Sequence, residues 1–524
     1  MKRTTYSTII LVPCLLLIAS AFSLHASAQN AGDLDLSFGD GGTVLFDFGT
    51  GQDNSGGLLI QPDQKIVMAG KTLTTSYRPT LIRVNTDGTP DDSFGENGIA
   101  FGDRDFFFWD APADLLVMQP DGKLLMAYQA TVEGQLRSAV SRFNTDGSID
   151  TDFGEEGTAT NWVSEFNDLV HSMVLQQDGK IVVVGQAQTY IGSNYSMIAT
   201  RFNSDGSVDE TFADNSIFLL DYSSGDDRLM DVKQQSDGKI LMVGQGTTAG
   251  YNNCIFIRLN EDGSYDETYG ADGIANFNLN DDYSTPTAVV LRDDDSAIAT
   301  GIAALADESD VFIMCVTPDG ELDPTFGTEG VTITHISDER EYGDNLTLAS
   351  DGKILVAGYQ SAMTLPGLVL RYTADGQLDP TFNGDGVAFI EAYGYYLENI
   401  KQQADGKIVV TGRMIDDTAF LPDFAVSRLL YEDANVVEEI SGNNAISIFP
   451  NPANETLTLN CYAPTGNEIV DISIADISGA IVWRSQSASF HQKQIATSQL
   501  VAGVYSIVIQ GSSIHSTKRF VIAR

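Results

Sequence analysis

The sequence predicts an all-β protein: a seven-bladed β-propeller built from seven repeats of about 57 residues, followed by a small C-terminal β-sandwich. Three markers running in one register predict it. An Asp-Gly-Lys turn, or its aligned equivalent, starts at Asp63, Asp121, Asp178, Asp237, Asp294, Asp351 and Asp405. The aromatic of an Asp-x-x-aromatic tetrad recurs at Phe38, Phe94, Phe153, Phe212, Tyr269, Phe326 and Phe382. An Arg within an apolar run recurs at Arg83, Arg142, Arg201, Arg258, Arg371 and Arg428, with Cys315 at the aligned place in the fifth unit.

The third unit shows why each repeat reads as β-structure. Asp178-Gly179 suits a tight turn because both residues tolerate positive φ, and Lys180 to Gly185 continues as a β-branched apolar run. Leu169 to Gln176 supplies the strand before that turn, and Tyr195 to Phe202 the strand after it. A short fourth strand follows the tetrad, as in Gly157 to Val163, and no segment sustains a helical period. A lone four-stranded unit leaves two apolar faces in water, so the units must stack, at about 25 cal/mol per Å² buried. Seven units lie within the range of about 4 to 8 over which radial packing closes a ring and hides its edges. The residues leave open whether the stretch from Asp35 to Phe46 completes the last blade.

Composition bounds the function. The chain has 524 residues with 29 Lys plus Arg against 72 Asp plus Glu, a formal charge of −43, so nucleic acid and anionic lipid are excluded as partners. Lys2 and Arg3, the apolar run from Ile9 to Phe22 and Ala26-Ser27-Ala28 give residues 1–28 the pattern of a secretory signal peptide. That run is too short for a membrane span, and no transmembrane segment is expected after its removal. Cys254, Cys315 and Cys461 are an odd set at unrelated places in the repeat, which points to free thiols rather than a disulfide framework.

The repeats are expected over residues 29–432, an acidic linker over 433–444, and a separate domain over 445–524. In that last segment Ile446 to Pro452 opens the domain, the alternating Thr456-Leu457-Thr458-Leu459-Asn460 marks a half-buried strand, and further strands are expected at Ile469 to Ile474, Ile481 to Ser485, Gly503 to Ile509 and Thr517 to Ile522. Asp476 to Gly479 reads as a turn.

Two resemblances rest on these residues. Units such as Leu378-Asp379-Pro380-Thr381-Phe382, Gln119-Pro120-Asp121-Gly122-Lys123 and Arg142-Phe143-Asn144-Thr145-Asp146-Gly147 resemble the delta-60 repeats of bacterial surface and secreted proteins. The C-terminal segment is similar to the type A sorting domains of the type IX secretion system of the Bacteroidetes. The matching positions are Pro450, Asn451 and Pro452 after Phe449, then Asp476 to Gly479, Leu500, Gly503, Tyr505 and the basic Lys518, Arg519 and Arg524. That resemblance implies passage across the inner membrane unfolded, then export through the outer membrane with the tail read by the secretion machinery. In the family the tail is often removed and the cargo joined to surface lipopolysaccharide. The expected location is extracellular or at the outer-membrane surface.

Candidate chemistry is sparse. The Asp-Gly-Lys set reads as a hairpin turn with a surface lysine, and the repeated Arg is expected to pair with a tetrad Asp of a neighbouring unit, such as Asp150. Acidic loops at 85–92 and 144–152 hold enough carboxylates to suggest calcium, without the EF-hand order. No metal site and no other cofactor is indicated. Loops after the apolar runs vary freely, and Tyr190, Asn194, Tyr195, Tyr251 and Asn252 on them are the candidate binding residues, for an extracellular polysaccharide or protein. There is no Gly-x-Ser-x-Gly elbow and no His-Glu-x-x-His, and only His171 and His335 lie in the repeats. The expected function is therefore a secreted, non-catalytic binding or adhesion module. The alternatives are a polysaccharide hydrolase or lyase with carboxylates in the propeller funnel, and a structural surface component without a specific ligand.

Overall fold

The computed structural model describes residues 29–48, 52–73, 76–105, 114–164, 166–190, 192–248, 251–279, 283–305, 308–362, 364–392, 394–415, 421–432, 446–449, 456–461, 469–476, 481–488, 492–510 and 515–522. Among these every named element is a strand. The expected signal peptide and the whole of the expected linker lie outside them.

Seven four-stranded antiparallel sheets form the propeller. In the third blade the order is Asp168–Leu175, Ile181–Gln188, Tyr195–Phe202, Ile217–Leu220. The strand after each tetrad is thus the outermost strand of the blade already begun, and Thr158–Asn161 belongs to the second blade. The first strands are Asn54–Ile60, Leu116–Met118, Asp168–Leu175, Arg228–Gln234, Ser284–Leu291, Glu341–Leu348 and Tyr395–Gln402. Each packs on the first strands of both neighbouring blades, the seventh against the first, so these strands line a central channel.

The start of the chain completes the last blade. Thr43–Phe46 pairs with Pro422–Leu429 in register from Thr43↔Ser427 to Phe46↔Phe424, and the Thr43 and Ser427 hydroxyls lie 2.7 Å apart. The closure that the sequence left open is therefore made by a strand 384 residues away from its partner.

A β-bulge in the first strand recurs in six blades, between Val170 and Ser172 in the third. There the first strand approaches the second so closely that a Cβ on Gly185 would sit 1.8 Å from the Leu169 carbonyl oxygen. This is why the repeat ends its apolar run on glycine. The second blade has Tyr128 at that place, and its first strand is cut to Leu116–Met118, which removes the close approach. Core layers lie between blades: Leu125, Ala127 and Val140 of the second pack on Val170, Met173, Ile181 and Val183 of the third.

The C-terminal segment forms two sheets, Ile446–Phe449, Thr456–Cys461, Gln492–Ala496 and Ile481–Ala488, Ile469–Asp476, Gly503–Gln510, His515–Ile522. Leu457, Leu459 and Ile495 from one meet Ile472, Ile474, Tyr505, Ile507 and Ile522 from the other. The strand at Gln492–Ala496 escapes sequence reading because Ile495 is the only large apolar residue in it. The turn expected at 476–479 lies mostly outside the described residues.

Candidate functional site at the channel mouth

The repeated polar residues converge on one cluster per blade, on the side of the Asp-Gly-Lys hairpins. In the third blade Arg201 Nε donates to Asp209 Oδ2 at 2.7 Å, Lys180 Nζ lies 3.1 Å from the same oxygen, and the guanidinium covers the Phe212 ring at 4.6 Å. Arg142 likewise pairs with Asp150 at 2.6 Å, but within one blade, eight residues apart. The expected link between neighbouring units is made differently, by the guanidinium donating to a backbone carbonyl of the next blade: Arg83 to Thr145 at 2.8 Å and Arg142 to Ser204 at 2.8 Å. The last blade follows the same rule across the closure, where Arg428 donates to the Thr86 carbonyl. The lysine is no mere surface group, since Lys65, Lys123, Lys353 and Lys407 also reach the tetrad carboxylate. Burial raises the Asp35 carboxyl pKa, yet the bonds from Ser37 and Lys407 and the Arg428 charge outweigh it and bring the group down to about 2.

The fifth blade swaps this cluster rather than losing it. Arg292, standing where five other units have the Gln before Asp-Gly-Lys, donates to the Ala374 carbonyl and lies over the Phe326 ring at 5.4 Å. Cys315 takes the vacated place and is buried, as is Cys254; both are free thiols. The acidic loops are spent internally: Asp87 accepts from Thr89 N and Oγ1, and Asp146 from Ser148 N and Oγ, so these carboxylates shape turns.

The loops joining second and third strands emerge at the opposite end, where the first strands begin. Tyr190 and Tyr251 are exposed there, at 64% and 43%. Asn194 donates to the Ser224 carbonyl, the Tyr195 amide donates to Asp226 Oδ1 at 3.0 Å, and Asn252 Oδ1 accepts from Thr247 at 2.8 Å. Those three hold loops together.

The same end carries a cavity of about 290 Å³ in the channel mouth. Its lining comes from two register positions of the repeat. The bulged residue of the first strand is His171, Met230, Thr287, Asp344 and Glu398 in five blades, and the bulge turns each toward the channel. The cross-strand pair beside the glycine is Tyr342↔Tyr359 in the sixth blade and Tyr396↔Arg413 in the seventh. Tyr342 and Tyr359 stack at 4.6 Å, Tyr359 meets Tyr396 edge-on at 4.7 Å, and Arg413 lies 4.8 Å over Tyr396 and 3.6 Å from Glu398. Arg228 adds a second cation. Burial pushes the His171 imidazole down to about 4, so it is neutral at pH 7, with its Nδ1 2.7 Å from the Leu229 carbonyl. Repeat comparison passes over these positions because they vary from unit to unit.

Beneath the cavity the channel is crossed by ion pairs. Lys233 lies 3.0 Å from Asp114 and 2.8 Å from Asp231, and Lys401 lies 3.3 Å from Asp114, tying the second, fourth and seventh blades.

Residues 447–523 match the family of secretion system C-terminal sorting domains. Six segments, 61–94, 119–153, 176–212, 235–269, 298–326 and 349–382, match a β-propeller family described as a domain of unknown function, DUF5122. The chain is a repeat β-propeller carrying a secretion sorting tail. Each matched segment ends at a tetrad aromatic, and the seventh blade escapes because its hairpin at Asp405 and its tetrad at Phe38 lie at opposite ends of the repeats. The sorting tail marks the protein for type IX export to the cell surface or the extracellular space. No helix among the described residues is long and apolar enough to cross a membrane. Of the expected sorting positions, Gly503 opens a strand and the buried Tyr505 donates to the Val501 carbonyl at 3.0 Å. Lys518 and Arg519 lie in the final strand, and Pro450, Asn451, Pro452 and Arg524 lie outside the described residues.

A search of the curated proteins finds no match. Among solved structures, the β-propeller domain of the Trilobed protease from Pyrococcus furiosus is 10% identical, with TM-score 0.39, covering 73% of this chain and 97% of that one. The polysaccharide lyase Uly1 is 10% identical, with TM-score 0.43 and coverage of 79% and 94%. Drosophila Semaphorin 1b is 7% identical, with TM-score 0.41 and coverage of 77% and 88%.

Proposed function

We propose that the propeller is an extracellular glycan-binding module whose site is the channel-mouth cavity. One observation carries this reading: Tyr342, Tyr359 and Tyr396 form a continuous aromatic wall flanked by Arg413, Arg228, Asp344 and Glu398 in a pocket of about 290 Å³. Sugar rings present apolar C–H faces to aromatics and hydroxyls to paired charged groups, and a concave apolar wall with a few convergent polar groups is the usual form of a small-ligand site. The exposed Tyr190 and Tyr251 lie at the same end of the ring and would extend the contact to a longer chain. The tail and the N-terminal 28 residues supply the route outward.

Calorimetric titration of the purified protein with a panel of neutral and acidic oligosaccharides tests this. A saturable ligand is expected, and Tyr396→Ala or Arg413→Ala is expected to weaken it by roughly tenfold or more. Binding that both variants leave unchanged would move the site elsewhere.

Cleavage is the second reading, because Asp344, Glu398 and the neutral His171 share the cavity. New reducing ends or unsaturated products on incubation with acidic polysaccharides, lost in His171→Ala, would favour it over binding alone.

A further inference from the structure

Away from the channel, the junction of the fifth and sixth blades gathers three ligating side chains from separate elements. Asp310 lies in the strand Glu308–Val316, His335 follows Val331–Thr334 in the crossover between blades, and Glu341 opens Glu341–Leu348. One ligating atom from each lies within 4.8 Å of the other two, and among the described residues this is the one such group. His335 Nδ1 lies 3.1 Å from Asp310 Oδ1. Two ligands about 2.1 Å from one ion at tetrahedral or right angles are roughly 3.0 to 3.4 Å apart, so this spacing fits neighbours in one coordination sphere.

The second observation is the state of Glu341. Its residue is 0% exposed, and Oε1 accepts from Ser337 Oγ at 2.8 Å and Gln360 Nε2 at 2.9 Å. Oε2 is buried with no hydrogen-bond partner. One oxygen held by hydrogen bonds and the other left bare is how a ligating carboxylate is prepared. Protonation would not resolve it, because a buried O–H would still need an acceptor.

Other blades show that the fold does not require the bare oxygen. Asp168 and Asp227 stand at the same place, two residues before the partner of the second-strand glycine. Asp168 accepts from Val163 N and Ser164 Oγ, and Asp227 from Tyr222 N, Ser223 N and Ser223 Oγ, so both oxygens are used. Asp53 also keeps an oxygen without a partner, but there no imidazole joins it. Only in the sixth blade does a longer Glu meet a histidine and a second carboxylate.

We propose that Asp310, His335 and Glu341 bind a divalent ion of the zinc class. An imidazole with two carboxylates suits a borderline cation better than calcium, which takes six to eight oxygens. The His335 side chain is 52% exposed, which gives the ion a path in and leaves a coordination position to water. A bound ion would fix the crossover that leads into the strand of Tyr342, one residue beyond Glu341.

The test is calorimetric titration of zinc chloride into the untagged, chelator-stripped full-length protein, beside His335→Ala and Glu341→Gln. With a chain charge of −43, weak diffuse binding is a background in all three proteins. A single tight site is expected in the parent and roughly tenfold or weaker binding in His335→Ala, whose metal-free melting temperature should fall only slightly because the half-exposed side chain gives up one contact, to Asp310. Calcium in excess should not displace the zinc. The proposal is overturned if the parent shows only diffuse binding, or if the tight site survives unchanged in His335→Ala.

Discussion

At the scale of single residues, Gly185 and Arg201 show how a repeat motif encodes contact between strands and between blades. A side chain at Gly185 collides with the Leu169 carbonyl, so Gly185→Ala should destabilise the propeller by about 1 to 3 kcal/mol, read by denaturant unfolding. Tyr128 marks the blade where that constraint is absent, and its OH lies 2.9 Å from the Ser141 hydroxyl. Arg201→Ala leaves the buried Asp209 with Lys180 as its only charged partner and cuts the link to the next blade. A loss of about 3 kcal/mol or more is expected. The fifth blade makes a sharper test of the same idea. Arg292→Ala should destabilise markedly, whereas alanine at a solvated arginine would not; a neutral outcome would mean that the Ala374 link contributes nothing.

At the scale of elements, the crossovers between blades end on buried carboxylates whose behaviour is opposite to that of the tetrads. Burial pushes Asp53 and Asp168 from near 3.8 up to about 6, despite the hydrogen bonds they accept. The folded state therefore binds these protons more tightly than the unfolded chain. Their ionisation costs stability as pH rises through about 6. Asp35 and Asp379, down at about 2, give stability that is full above 3.8 and lost as pH falls toward 2. The two sets together place the stability maximum near pH 4, with a decline from there to about pH 6 as Asp53 and Asp168 ionise, so melting should be higher at about pH 5 than at about pH 8. The double variant Asp53→Asn/Asp168→Asn should flatten that difference, and an unchanged slope would assign it to other groups. These elements also show what the sequence makes legible. The strands, the turns and the Arg–Asp pairing repeat locally, so their periodicity exposes them. The cavity does not: Tyr342, Tyr359 and Arg413 sit where each repeat differs, and it is the bulge, set by backbone packing, that aims Asp344 and Glu398 at the channel. His335 joins Asp310 and Glu341 through topology alone, with no spacing in the chain to announce it.

At the scale of the whole molecule, the tail and the ring make separable predictions. Deleting residues 445–524 should retain the protein inside the cell with its propeller intact, checked by fractionation and limited proteolysis; appearance of the truncated protein outside would contradict the sorting role. Deleting residues 29–46 should strip the last blade to three strands and remove Asp35 and Phe38 from beneath Arg428. The expected result is a lower melting temperature and loss of a single cooperative transition. That closing strand also imposes an order in time. Thr43 emerges first and must wait for Ser427, so no partial chain, however long, is free of an open sheet edge. The blades are made one after another, yet the ring finishes all at once, just before the segment that addresses it for export appears.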